Sequence, residues 1–334
     1  MKQYAKILAF SISLFLITQT LFAQVKKVAA IGITVKDMDR SVYFYTGVLG
    51  FTKISDNEYE GEQYEKLQHI FGLHIRVVRL KLGDEIIELT DYLTGGGRSI
   101  PEDAKSNDLI FQHIAIVVSN MDKAFEILKK NHVEYVSTSP QTLPLSNKAA
   151  AGIRAFYFHD VDNHNLELIY FPKGKGNVKW QIPANKIFLG IDHTAIGISN
   201  TESSLMFYQN ILGIERKGES WNMGTEQAHL NFVEDASLHI TGLHAADGPG
   251  IEFLQYLKPG PGKVFPADTQ SDDIWHWQTT LLVDDATGLY NQLKAKGYQL
   301  VSRELVNIKQ DNGKKLTAFI VRDNDGHAVL IEGE

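Results

Sequence analysis

The feature that most constrains this chain is that it repeats itself four times. DMDRSVYFYTGVLGF (37–51) aligns with NTESSLMFYQNILGI (200–214) at a constant offset of 163, keeping Ser41/Ser204, Phe44-Tyr45/Phe207-Tyr208 and Leu49-Gly50/Leu212-Gly213. PEDAKSNDL (101–109) aligns with PADTQSDDI (266–274) at an offset of 165, and the match continues through Leu128/Leu293 and Val136-Ser137/Val301-Ser302. A repeat of this kind ties the fold to a small unit that must bury its apolar face against copies of itself. Each half contains two such units. Every unit opens with a β-rich run ending at an Asp or Asn that can cap a helix by accepting backbone N–H bonds: Asp37, Asn120, Asn200 and Asp285. Helices are expected over 38–48, 121–132, 201–211 and 286–297, with apolar residues at helical spacing such as Ala124, Ile127 and Leu128.

Strand-like runs follow each helix: Thr52–Ile54, Ile75–Leu82 and Glu85–Tyr92 in module one, and Val133–Ser137, Ile153–His159 and Asn165–Phe171 in module two. DVDN (160–163) and DNDG (323–326) read as tight turns before the last strand. The pattern is an α+β chain of four βαβββ modules. Gly, Pro and Asp mark the linkers 94–108 and 258–273, and 172–186 divides the halves into 24–178 (modules one and two) and 186–334 (modules three and four).

Residues 1–23 read as a signal peptide, with Lys2 and Lys6 ahead of an apolar stretch from Ile7 to Ile17 and the small residue Ala23 at its end. That stretch is shorter than the roughly 20 residues a membrane-spanning helix needs, so cleavage and export to a periplasmic or secreted location are expected, with no membrane association afterwards. The 334 residues include no Cys, which excludes disulfides, thiolate ligands and Cys nucleophiles. A net charge of −7 without a basic run argues against nucleic acid as a partner. A small-molecule substrate and a monomer or homodimer are expected.

The residues seven places before the four caps are Ala30, His113, His193 and Gln278. The last strands of the first three modules each set one carboxylate between apolar neighbours, at Glu88, Glu167 and Glu252; in module four the equivalent position is Leu330, with Glu332 two residues on along the same face. A carboxylate in a buried strand is costly unless it is paired or bound to a cation. Imidazole nitrogen with carboxylate oxygen suits a divalent ion such as Zn, Ni, Fe, Mn or Co. Modules two and three hold the full set, His113, Glu167, His193 and Glu252, and Glu88 and Gln278 are secondary candidates. A lone strand His is usually a hydrogen-bonded core residue; recurrence at one register is what argues for ligation. Trp275, His276 and Trp277 are expected to line a substrate pocket. Gly95-Gly96-Gly97 lacks the Lys-Ser/Thr of a phosphate loop.

SVYFYTGVLGF (41–51), SLMFYQNILGI (204–214), FQHIAIVVSNM (111–121) and DNDGHAVLIE (323–332) resemble the vicinal oxygen chelate superfamily, which includes glyoxalase I, extradiol dioxygenases, and fosfomycin- and bleomycin-resistance proteins. The resemblance covers nearly all of the mature chain. It implies paired modules, each pair curling into a glyoxalase-like half-open barrel around one metal, with ligands from first and last strands. Two pairings are open. If neighbours pair, each half holds an incomplete site; if two pairs with three and one with four, one site is complete and the other degenerate. Ligand completeness favours the crossed arrangement, and short linkers favour neighbours. Two His and two Glu favour Lewis-acid chemistry on a substrate with vicinal oxygens, a lyase or isomerase reaction with Glu167 or Glu252 moving a proton. The rivals are an Fe(II) dioxygenase and a binding or resistance protein that turns nothing over.

Overall fold

The computed structural model describes residues 25–183, 185–309 and 315–333, so the expected signal peptide lies outside the described residues. Module one runs β1 (Val25–Val35), α1 (Met38–Tyr43), β2 (Thr52–Glu60), α2 (Glu62–Gln68), β3 (His74–Leu82) and β4 (Glu85–Tyr92). Module two runs β5 (Gln112–Val118), α3 (Met121–Lys130), β6 (Gln141–Thr142), β7 (Arg154–His159) and β8 (Asn165–Tyr170). Module three runs β9 (Phe188–Ile198), α4 (Thr201–Leu205), β10 (Glu215–Met223), α5 (Thr225–Asn231), β11 (Ser237–His244) and β12 (Gly250–Lys258). Module four runs β13 (Trp277–Val283), α6 (Ala286–Ala295), β14 (Val306–Lys309), β15 (Lys315–Arg322) and β16 (Ala328–Gly333).

All four caps act as the sequence implies. The side chains of Asp37, Asn120, Asn200 and Asp285 accept from the backbone N–H of Arg40, Lys123, Ser203 and Gly288, filling one of the donors a helix start leaves open. Three details differ from expectation. The helices after Asp37 and Asn200 finish as π-helical turns, Phe44–Val48 and Met206–Ile211. Modules one and three carry the extra short helices α2 and α5, each entered through a glycine at positive φ, Gly61 and Gly224, which explains why a polar stretch hid a helix start. The 133–137 run forms no strand; its place at the sheet edge is taken by β6, with Tyr135 making only an isolated bridge to Phe158.

The pairing is crossed. One eight-stranded sheet has the order β10-β11-β12-β9-β5-β8-β7-β6, joining modules three and two, and the other has β14-β15-β16-β13-β1-β4-β3-β2, joining four and one. Each sheet therefore takes one module from each sequence half. The halves stay joined internally by helix-side contacts: Tyr45 donates to Asp160 (3.0 Å) and Tyr208 to Asp323 (3.1 Å), each tying one module to the last turn of its neighbour.

Strand alternation sorts the side chains. Ile114, Ile116, Leu166 and Leu168 pack with α1 and α3 in one buried cluster, and Ile196, Ile251, Phe253 and Leu281 with α4 and α6 in another, so the convex faces of both sheets lie against helices. The concave faces hold the intervening residues. In the module two–three sheet these include Tyr157, Ala195 and Leu254, with Leu230 of α5 packed among them. Ser137 and Ser106 donate to Leu230 O (2.6 Å) and Asn231 O (2.8 Å), satisfying carbonyls at the end of α5 and fixing it over the hollow.

Candidate metal centre

The four central strands of the module two–three sheet, β8-β5-β9-β12, position the candidate ligands. Across them run two rows. Glu167 is opposite Ala115, which is opposite His193; Glu252 is opposite Ala195, which is opposite His113. Every member projects to the concave face, and the two residues between the ligands are fully buried alanines, small enough to leave room above the sheet. The offset of the rows brings His113, Glu167 and His193, all buried, to within 4.8 Å of one another by their ligand atoms.

His113 Nε2 lies 3.1 Å from Glu167 Oε2. His193 Nε2 lies 3.7 Å from Glu167 Oε2 and 3.4 Å from Glu252 Oε2, yet it makes no hydrogen bond, an orphaned polar atom in a buried site. Glu252 stands beside His193 outside the mutual three-residue set, and its side chain is 26% exposed against 6% for Glu167. Of the four expected ligands, His113, Glu167 and His193 lie closest together, and Glu252 comes within 3.4 Å of His193 Nε2 from β12.

The electrostatics favour a cation. Burial works against a charged His193, but Glu252, Asp192 and Glu167 outweigh it and push its pKa up to about 10. Burial pushes the Glu252 carboxyl up to about 6, with His193 opposing and Glu167 adding to the rise. Burial lowers His113, with Glu167 opposing. Two imidazole nitrogens, one of them the unpartnered His193 Nε2, and clustered carboxylate oxygens form a donor set that fits a first-row divalent ion.

Glu167, His193 and Glu252 line a cavity of about 420 Å³ whose walls also include Tyr157, Asp192, Lys217, Glu219, Asn222 and His244, with His113 fully buried behind Glu167. Asp192 was not legible as a site residue, because alternation should turn it away from the face that carries His193. A β-bulge overrides that: Ile191 and His193 oppose Ile116 and Ala115, leaving Asp192 as the extra residue. Asp192 Oδ2 then lies 3.1 Å from His193 Nδ1, and Trp180 Nε1 donates to Asp192 Oδ1 at 2.5 Å.

The other candidates lie elsewhere. Crossed pairing places Glu88 and Gln278 in the second sheet, so neither joins the set. Glu88 pairs with Arg79 at 3.0 Å, and Gln278 Oε1 accepts from Gln68 Nε2 at 3.4 Å. Their sheet has Ala30 and Leu330 at the remaining ligand positions, and its hollow is filled by Leu67, Val306, Ile320 and Leu330. Trp275, His276 and Trp277 lie apart from the cavity of about 420 Å³. Trp277 opens β13 of the second sheet, so the run is carried away from the metal set. Trp275 and Trp277 line a separate cavity of about 490 Å³, and His276 is buried at 2% exposure, its pKa pushed down to about 3 by burial and Arg322. His164 and His327 are structural, bonded to Asp160 (2.9 Å) and Asp323 (3.1 Å).

Comparison with known proteins fits this geometry. The family model "Glyoxalase/Bleomycin resistance protein/Dioxygenase superfamily" matches twice, over residues 27–168 and 190–331. The chain belongs to that superfamily. Within it, glyoxalase I of Saccharomyces cerevisiae is 25% identical over 336 residues, covering 90% of each chain. A 2-epi-5-epi-valiolone epimerase of Actinomyces sp is 30% identical over 150 residues, covering 43% of this chain and 79% of that protein. Among solved structures, a point mutant of glyoxalase I from Zea mays superposes with a TM-score of 0.61 at 15% identity, covering 92% of each chain. A "putative dioxygenase" from Bacillus subtilis superposes at 0.57 with 13% identity, covering 93% of this chain and 86% of that one. These superpositions show the shared fold.

Proposed function

We propose that this chain is a divalent-metal-dependent isomerase or lyase acting on a small substrate with oxygens on adjacent carbons. The observation that carries the reading is the convergence of His113, Glu167 and His193, with Glu167 and His193 lining a cavity and His193 Nε2 unpartnered. The yeast glyoxalase I and the epimerase relatives support the reaction class. His113, Glu167 and His193 would hold the ion. When bound, it supplies a Lewis acid that favours negative charge on substrate oxygen.

The chain's own contribution is proton transfer and selection. Glu252 stands at the set without belonging to it, is the more exposed carboxylate, and has a pKa raised by burial toward neutrality. It is the group placed to take a proton from the carbon beside the chelated oxygens and return it, because a base works best with a pKa near the operating pH. Among the described residues, the charged groups lining the cavity are Glu167, Asp192, Glu219 and Glu252, with Lys217 alone as a lysine and no arginine. Lys217 is already paired with Glu215. Such a wall disfavours a multiply anionic adduct and suits a neutral hydroxycarbonyl compound. We also propose export, on the strength of the first 23 residues.

The test is metal analysis of purified protein, followed by exchange of substrate C–H for deuterium across a panel of hydroxyketones, vicinal diols and catechols. Metal-dependent exchange abolished by Glu252→Gln supports the reading; no bound metal, with ligand binding unchanged in Glu167→Gln, would replace it with sequestration. A second reading, an Fe(II) dioxygenase, is favoured by one observation: the converging set is two His and one carboxylate. Iron in the purified protein with catechol-dependent oxygen uptake would select it.

A further inference from the structure

We infer that Asp192 and Trp180 form a positioning pair that sets His193 for metal binding, so that the linker between the two sequence halves is part of the metal centre. This rests on the reading that the site binds a divalent ion.

The geometry begins with the bulge. An extra residue in a strand leaves a backbone N–H without a ladder partner. Here the Ile191 N–H donates to Glu85 Oε2 at 3.1 Å, a buried carboxylate delivered from β4 of the other sheet. With the bulge fixed, Asp192 and His193 face the same side. The Asp192 carboxylate accepts from His193 Nδ1, which leaves the ring's other nitrogen, Nε2, turned toward Glu167 and Glu252. A metal-ligating imidazole needs this arrangement, since the bond at one nitrogen sets both the tautomer and the ring plane at the other.

Asp192 is itself held from behind. Trp180 lies on the 3-10 turn Val178–Gln181 of the linker and donates its indole N–H to the second oxygen of Asp192. Its ring lies against Gly190, where a Cβ would come 2.7 Å from the indole and 2.5 Å from Glu85. The glycine is therefore what lets the linker reach the strand.

The degenerate sheet supplies an internal control. β1 keeps the same bulge, with Val28 and Ala30 opposite Leu281 and Thr280 and Ala29 extra, and the Val28 N–H donates to Asp247 O at 3.0 Å. The bulge is thus a property of the fold in both copies. What differs is its cargo: Asp192-His193 in β9, Ala29-Ala30 in β1. Where the imidazole is missing, its carboxylate partner is missing too, as expected if Asp192 serves His193 and not the bulge.

The test titrates Co(II), as the metal alone, into metal-free full-length protein and its variants, reading affinity by chelator competition and ligand-field absorption by spectrum. Asp192→Ala is expected to weaken Co(II) binding about 10- to 100-fold and to change the visible band. Asp192→Asn, which keeps one acceptor, is expected to lose less, and Trp180→Phe to weaken binding several-fold while circular dichroism and melting stay at the parent values. Should Asp192→Ala fail to fold, Asp192→Asn and Trp180→Phe carry the comparison. Parent-like affinity and spectrum in the folded variants would overturn the inference and leave the metal reading standing. A parent protein that takes up no divalent ion would overturn both.

Discussion

Replacing Glu332 by glutamine probes a partly buried carboxylate of the second sheet that stands two residues beyond the ligand position. Glu332 lies on β16, on the same concave face as Glu88 and Arg79, and is partly buried. Burial and the neighbouring Glu88 push its pKa up to about 7, with Arg79 opposing. The ordinary value in an unfolded chain is about 4.3. Between those two values the folded protein keeps a proton that the unfolded chain has released. Stability should therefore fall as pH climbs through that window and level off above pH 7. The full shift corresponds to about 4 kcal/mol at roughly 1.4 kcal/mol per pH unit. Partial exposure and screening reduce this, and about 1–2 kcal/mol is the expected cost of the charged form. Glutamine cannot ionise, so Glu332→Gln should gain about 1–2 kcal/mol at pH 8 and almost nothing at pH 4.5. Urea unfolding across that range, parent against variant, is the assay. Equal stabilities at pH 8, or a gain that does not fade on acidification, would refute the argument that an uncompensated carboxyl is strained there.

Other outcomes follow from the metal site and its frame. His193→Ala should abolish measurable Co(II) binding in equilibrium dialysis, whereas Gln278→Ala, in the other sheet, should leave it at the parent level. Ala115→Leu sets a bulky side chain in the row between Glu167 and His193; metal content should drop, with about 1–3 kcal/mol lost from overpacking, measured by urea unfolding. Tyr45→Phe and Tyr208→Phe each remove one buried hydrogen bond to a carboxylate, and each should cost about 1.5–3 kcal/mol by the same measurement. Gly190→Ala should weaken metal binding without touching a ligand, because the new methyl group displaces Trp180 or Glu85.

Much of the architecture could be read from the chain because its signals are local. A capping side chain answers to donors three residues away, so Asp37, Asn120, Asn200 and Asp285 were all legible, and through them the register of His113 and His193. Pairing was not legible in the same way. Which module lies beside which depends on contacts between distant strands, and among the residues the clue was that one combination completes a ligand set. Asp192 was hidden because a bulge breaks the two-residue period that sequence reading relies on. The surroundings of Trp275-His276-Trp277 were hidden in the same way, because they are set by the sheet that β13 joins.

The crossed exchange of modules has a consequence for handling the chain. A protease cut within 172–186 would not liberate a working piece from either side of the break. Each fragment would carry two orphaned sheet edges and only part of the candidate site, His113 and Glu167 on one, His193 and Glu252 on the other. Divalent-ion binding is expected to return only on recombining the fragments, because each sheet needs one module from either side of the cut.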